Sequence, residues 1–183
     1  MRLRQLIGEI PRLSPSDLPD LPDLQVAGIA SDSRRVARGQ LFVAIRGTQQ
    51  DGHRYLGQAA EAGAAALVGE LPDPGHGLPY VQVPDSRLAY ALLAAAWHRH
   101  PTRELVLIGI TGTDGKTTTA NLLHAILHHA GHRVGLISTV NALIGAETVD
   151  TGLHVTTPDP LDLQAYLREM VDRGLTHCVL EAT

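Results

Sequence analysis

Through the first hundred residues, short apolar runs alternate with polar segments rich in glycine and proline, the pattern of small strands and helices taken in turn. Leu3–Ile10 predicts a short helix, and a proline- and aspartate-rich loop, Ser14–Asp23, follows it. Val26–Ser31 and Leu41–Ile45 predict strands, separated by a turn at Val36–Gly39. Tyr55–Ala62 predicts a helix ended by Gly63. Ala65–Val68 and Tyr80–Val83 are short strands with a Pro/Gly-rich loop between them. Asp85 is placed to cap a helix over Arg87–Arg99 whose apolar stripe includes Leu88, Leu92, Ala95 and Ala96. Pro101 stops that helix, and the expected domain boundary falls there, giving units 1–101 and 102–183.

From Glu104 the pattern lengthens. Leu105–Ile110 is a continuous apolar run, as in a parallel strand covered on both faces. A glycine-rich turn leads into a predicted helix from Lys116 to Ala130, ended by Gly131. Val134–Ser138 is a second strand, Leu161–Arg173 a second long helix ended by Gly174, and Thr176–Glu181 a third strand. This is the beginning of a doubly wound α/β sheet. Such a domain needs more strands to bury its helices, so the expectation is a truncated domain, the N-terminal fragment of a longer enzyme.

Composition narrows the function classes. The 15 Lys+Arg against 19 Asp+Glu leave a net charge of −4, which argues against a general nucleic-acid binder. One cysteine, Cys178, excludes an internal disulfide framework and fits a reducing compartment; inside an apolar strand it reads as a buried, inert thiol. No run reaches the ~18 apolar residues of a membrane span, so a cytoplasmic protein acting away from membranes is expected. Lys116 is the only lysine, so any argument that needs one rests on it.

That lysine lies in GITGTDGKT, Gly109–Thr117, which reads as a phosphate-binding loop of the G-x-x-x-x-G-K-[ST] kind, with a strand before and a helix after. Glycines let backbone N–H groups approach phosphate, the helix N-terminus adds partial positive charge, and Lys116 neutralises β/γ-phosphates. The Thr117 hydroxyl is placed to coordinate Mg²⁺. A GTPase would need NKxD, which a chain whose only lysine is Lys116 lacks. On the loop alone a small-molecule kinase stays open.

The stretch TGTDGKTTT, Thr111–Thr119, resembles the ATP signature of the Mur ligase family, usually TGTNGKT, with Asp114 at the asparagine position. SDSRRVARGQLFVAIRGTQQDGHRY (Ser31–Tyr55) is similar to the uridine-binding N-terminal domain of MurE and MurF ligases, and HVTTPDPLDLQ (His154–Gln164) to the MurE substrate loop. The resemblance implies a small α/β uridine-binding N-terminal domain followed by the first part of a P-loop parallel-sheet ATPase domain. It implies ATP and Mg²⁺ as cofactors, with UDP-N-acetylmuramoyl-dipeptide and an amino acid, most commonly meso-diaminopimelate, as partners. The enzyme is expected to be a monomeric ligase of peptidoglycan precursor synthesis, working through an acyl phosphate. MurF-type and other family members, a kinase, and a non-catalytic binding module are the alternatives.

By the same resemblance Lys116 is catalytic, and Gly112, Thr113, Asp114, Gly115, Lys116, Thr117 and Thr118 hold the nucleotide. Ser31, Ser33, Thr48, Gln49, Gln50, Thr156, Thr157 and Thr183 contact the substrate, while Thr117 and Glu181 bind Mg²⁺. Residue chemistry leaves other roles open. Asp32 and Arg34 can form a turn-stabilising ion pair, Thr48–Gln50 can be a polar surface loop, and Thr156–Thr157 can cap the following helix, with Asp159 an equally good cap. His124 and His128, at i,i+4, have zinc-pair spacing but no third ligand, so a solvated or helix-capping role is the plainer reading. The family's carbamylated lysine cannot be in this chain, and the chain alone is expected not to ligate.

Overall fold

The computed structural model describes residues 1–10, 21–47, 50–138, 141–145, 147–150 and 158–182. The chain divides into two compact units, Met1–Trp97 and His98–Thr183.

The first unit runs α1 (Leu3–Ile7), β1 (Ile29–Ala30), β2 (Leu41–Val43), α2 (Leu56–Glu61), β3 (Ala66–Gly69), β4 (Tyr80–Gln82) and α3 (Ser86–Trp97). Its four strands pair in chain order, all parallel, with Ile29 opposite Leu41, Phe42 opposite Leu67 and Val68 opposite Val81. Phe42, Leu56, Ala59, Leu67 and Tyr80 form one buried cluster between sheet and α2. The strands are shorter than the apolar runs suggest. Before β1, for example, Val26 N–H bonds Met1 O and Ala27 N–H bonds Gly39 O, outside the ladder. In α3 the buried stripe is Ala89, Tyr90, Leu93, Ala94 and Ala96, and Leu88 faces solvent. The expected stripe is therefore displaced by about one residue. Apolar side chains occur on several faces of this alanine-rich helix, so its periodicity does not fix which one packs.

The second unit runs β5 (Val106–Ile110), α4 (Lys116–His129), β6 (Val134–Ile137), β7 (Asn141–Ile144), β8 (Glu147–Asp150), α5 (Pro160–Asp172) and β9 (His177–Glu181). Strand order is β5-β9-β6-β7-β8; β5, β9 and β6 are mutually parallel, and β7 and β8 add antiparallel. The β7–β8 hairpin is absent from the sequence-based reading. β5 also departs from expectation: it is an edge strand among the described residues, and Val106 is 54% exposed rather than covered.

The alternation of β9 positions the chemistry. Cys178 and Leu180 pack with Leu167 and Met170 of α5, while Val179 packs with Ala120, Leu123 and Leu127 of α4. With a side-chain period of two, Glu181 shares the α4 side with Val179. Three helices end as the glycines suggested. Gly63, Gly131 and Gly174 have φ of +91°, +88° and +75°, and in each case the glycine N–H and the next N–H close back on the last turn. This is the doubly hydrogen-bonded left-handed helix stop.

Candidate functional site

Each unit holds a candidate site. In the first, a cavity of about 590 Å³ is lined by the turn Ser31–Arg34, by Ile45, Gln50, Gly52 and Tyr55, and by Gln58 of α2. That volume lies within the range of small-molecule sites. Two aspartates shape its rim by the same device. Asp32 accepts the N–H of Arg34 and Asp51 that of His53, each opening a 3₁₀ turn, at 3.0 Å in both cases. Asp32 also takes a two-pronged ion pair from the Arg34 guanidinium, 2.9 and 2.6 Å, which holds its carboxyl down at about 2. The pair thus closes across the turn that Asp32 opens.

Inside the cavity the polar groups are mostly neutral. Ser33 Oγ donates to Gln58 Oε1 at 3.0 Å, and Tyr55 Oη donates to Gln50 Oε1 at 3.2 Å. Hydroxyls, amides and an aliphatic wall at Ile45 suit an uncharged polar ring, with the Arg34 cation at the edge for an anionic tail. Ser31, Ser33 and Gln50 come together here, whereas Thr48 and Gln49 lie outside the described residues. Tyr55 and Gln58 were not anticipated; one helical turn separates them, and only the orientation of α2 reveals the shared wall.

The second site lies at the carboxyl ends of β5 and β9. Between Gly109 and Gly115 there are five residues rather than the four of G-x-x-x-x-G-K-[ST], and Ile110 stands where that pattern has its first glycine. The loop's working glycines are Gly112, φ +149°, and Gly115, φ +74°, the latter immediately before α4. Lys116 Nζ donates to the carbonyls of Gly112, 2.8 Å, and Thr113, 3.1 Å, so its cation is folded over the loop. Thr113, Asp114 and Thr118 are exposed around it.

Thr117 Oγ1 donates to both carboxylate oxygens of Glu181, 2.9 and 3.1 Å, across 64 positions of sequence. Ile110 pairs with Glu181 in the ladder, so the loop leaves β5 beside that carboxylate. Glu181 is 2% exposed. Two oxygen donors about 3 Å apart match one edge of the octahedron that Mg²⁺ forms at ~2.1 Å, so the donor set fits a hard cation. Asn121 braces the turn from Nδ2 to Thr117 O at 2.8 Å. Thr156, Thr157 and Thr183 lie outside the described residues, as does His154.

Cys178 is buried, and burial pushes its thiol up to about 12. The rings of His124 and His128 stack at 6.2 Å, and no cluster of three metal-ligating residues occurs among those described. Among the same residues no helix is long and apolar enough to cross a membrane.

Fold and sites define an α/β protein with a lysine-bearing glycine loop at a sheet end and a separate polar cavity. The Mur ligase family catalytic-domain model matches residues 25–98 and the Mur ligase middle-domain model residues 110–183. The chain belongs to the Mur ligase family. It is 46% identical to a UDP-N-acetylmuramoyl-L-alanyl-D-glutamate–2,6-diaminopimelate ligase of Parabacteroides distasonis, across 100% of this chain and 37% of that protein. A UDP-N-acetylmuramyl-tripeptide synthetase of Deinococcus radiodurans is 44% identical, across 100% and 38%. A solved structure of a diaminopimelate ligase of this kind aligns with TM-score 0.71 and 27% identity over 90% of this chain and 34% of its own. The MurF ligase of Thermotoga maritima, solved with ADP, aligns with TM-score 0.52 and 25% identity over 88% and 33%. The chain therefore spans little more than a third of the relatives it matches.

Proposed function

We propose that this chain supplies the uridine-binding and ATP-binding units of a cytoplasmic MurE-type ligase. That enzyme joins an amino acid, meso-diaminopimelate, to UDP-N-acetylmuramoyl-L-alanyl-D-glutamate. The observation that carries the reading is the 46% identity with a diaminopimelate ligase, which runs through the cavity and the lysine loop in one span.

The substrate's D-glutamyl carboxylate attacks the γ-phosphate of ATP, giving an acyl phosphate and ADP; the incoming amine then displaces phosphate and forms the amide. Lys116 exchanges two neutral carbonyls for anionic phosphate oxygens, a stronger charge-assisted partner. Backbone N–H groups of Gly112–Thr118, at the start of α4, cradle the phosphates. Thr117 and Glu181 would hold Mg²⁺, which would neutralise charge on the transferring phosphoryl group. Ser31, Ser33 and Gln50, with Tyr55 and Gln58, hold the uridine end, so binding energy far from the reaction positions the carboxylate. Thr48, Gln49, Thr156, Thr157 and Thr183 are assigned to the same substrate by resemblance.

By itself the chain is expected to bind without ligating, because its only lysine is committed to the phosphates. Calorimetric titration tests the reading. Mg·ATP and the UDP-muramoyl dipeptide should each bind, with UDP competing only against the second. Binding of ATP with silence from every uridine ligand would contradict it.

A further inference from the structure

We propose that His53 is a positioning residue of the uridine cavity: its imidazole locks the segment carrying Gln50 and Tyr55 onto the end of β3, fixing the cavity's wall before a ligand arrives. The inference rests on the uridine-binding reading of that cavity.

His53 is buried and does not itself line the cavity. Its Nε2 accepts the backbone N–H of Glu70, just past β3, at 2.7 Å. That nitrogen therefore carries the lone pair and Nδ1 the proton, which it donates to Asp51 Oδ1 at 2.5 Å. One rigid ring thus joins two segments, giving a donor to one and an acceptor to the other.

Glu70 also secures the beginning of the same segment. Its Oε1 accepts from Ser86 N, 2.9 Å, and Ser86 Oγ, 2.7 Å, and Ser86 Oγ in turn accepts Arg46 N–H at 3.3 Å. Between these anchors the chain folds back on itself: Gly47 N–H bonds Gln50 O and Gly52 N–H bonds Ile45 O, both at 2.9 Å. The space for the ring is reserved by Gly69, where a Cβ would stand 2.8 Å from His53 Nε2 and 2.5 Å from Tyr80 Oη. Four of the nine residues lining the cavity belong to the segment held this way: Ile45, Gln50, Gly52 and Tyr55. Removing the ring would leave the half-buried Glu70 N–H without its acceptor, a cost the loop can escape by moving toward water.

The test uses the whole chain, ¹⁵N-labelled. Long-range ¹H–¹⁵N spectra should show His53 as the Nδ1–H tautomer; the Nε2–H tautomer would overturn the proposal. In His53→Ala, amide exchange at Glu70 and residues 50–55 should quicken at least tenfold, and affinity for the UDP-muramoyl dipeptide should fall about tenfold. His53→Gln, whose Oε1 can reach the Glu70 N–H, should stay within threefold of the native affinity, a rescue that a merely space-filling role would not give. Native exchange and affinity in His53→Ala would refute the role. If the unsubstituted chain binds no uridine ligand, the functional reading falls, and tautomer and exchange still decide the role of His53.

Discussion

Lys116 makes its two hydrogen bonds to exposed loop carbonyls, so its contribution to folding is expected to be small. Lys116→Ala is expected to weaken Mg·ATP binding by about tenfold or more, the worth of one charged hydrogen bond, while changing stability by less than ~0.5 kcal/mol. Equilibrium dialysis and urea titration read the two effects separately. Two glycines are irreplaceable for different reasons. Gly115 has open space around it but φ of +74°, so Gly115→Ala should cost about 1–2 kcal/mol from conformation alone. Gly69→Ala meets Tyr80 and His53 instead, and should cost about 1–3 kcal/mol through overpacking, with the cavity loosened as well. Urea midpoints of both variants check these values. Arg34 holds the Asp32 carboxyl at about 2, below the ordinary aspartate value near 3.9. Its stabilisation is therefore complete above roughly pH 4 and is lost as pH falls through about 2. The pair is largely exposed, so the loss should be about 1 kcal/mol at most, and smaller in Asp32→Asn when urea midpoints at pH 5 and pH 2.5 are compared. Individual side chains were unevenly legible. Cys178 sits in an apolar run and could be read as buried. The meeting of Thr117 with Glu181 spans 64 residues and no local spacing reports it; it was reachable only through family resemblance. His53 gave no signal at all, because its role depends on which backbone N–H comes to rest beside it.

Helix α4 illustrates how far an element can be read from its own residues. Gly115 before it and Gly131 after it mark its limits in the sequence, and both limits agree with the structure to within a residue. Its faces are harder to read. Ala120, Leu123 and Leu127 pack against β6 and β9, yet Leu122 and Ile126, one turn apart on another face, are 60% and 56% exposed. Apolar surface on two sides broadens the amphipathic stripe, the same ambiguity that displaced the expected stripe of α3. The double variant Leu122→Gln/Ile126→Gln should leave the unfolding midpoint in urea nearly unchanged, because both side chains are already largely in solvent. A midpoint lowered as far as a core substitution would lower it would show that these two side chains are packed after all. The β7–β8 hairpin escaped sequence reading because Asn141–Ile144 opens on a polar residue and Glu147–Asp150 holds a single apolar one, without the continuous apolar run that marks Ala65–Val68 as a strand.

At the scale of the whole molecule, the order of motifs was the most legible feature. The Ser31–Tyr55 stretch, the lysine loop Thr111–Thr119 and the stretch His154–Gln164 follow one another in a family order that composition alone would never reveal. Two chemistries are kept in two units: a neutral polar cavity among Ser31, Gln50 and Gln58, and a lysine loop facing a buried carboxylate. The central claim is that the first is where a UDP-muramoyl substrate is held. The most direct measurement is a ¹H–¹⁵N chemical-shift map of the chain titrated with UDP-N-acetylmuramoyl-L-alanyl-D-glutamate. The expected result is a saturable set of shifts centred on Ser31, Ser33, Gln50, Tyr55 and Gln58, reversed neither by Mg·ATP nor by inorganic phosphate. Shifts confined to Gly112–Thr118, or none at all in a folded chain, would contradict it.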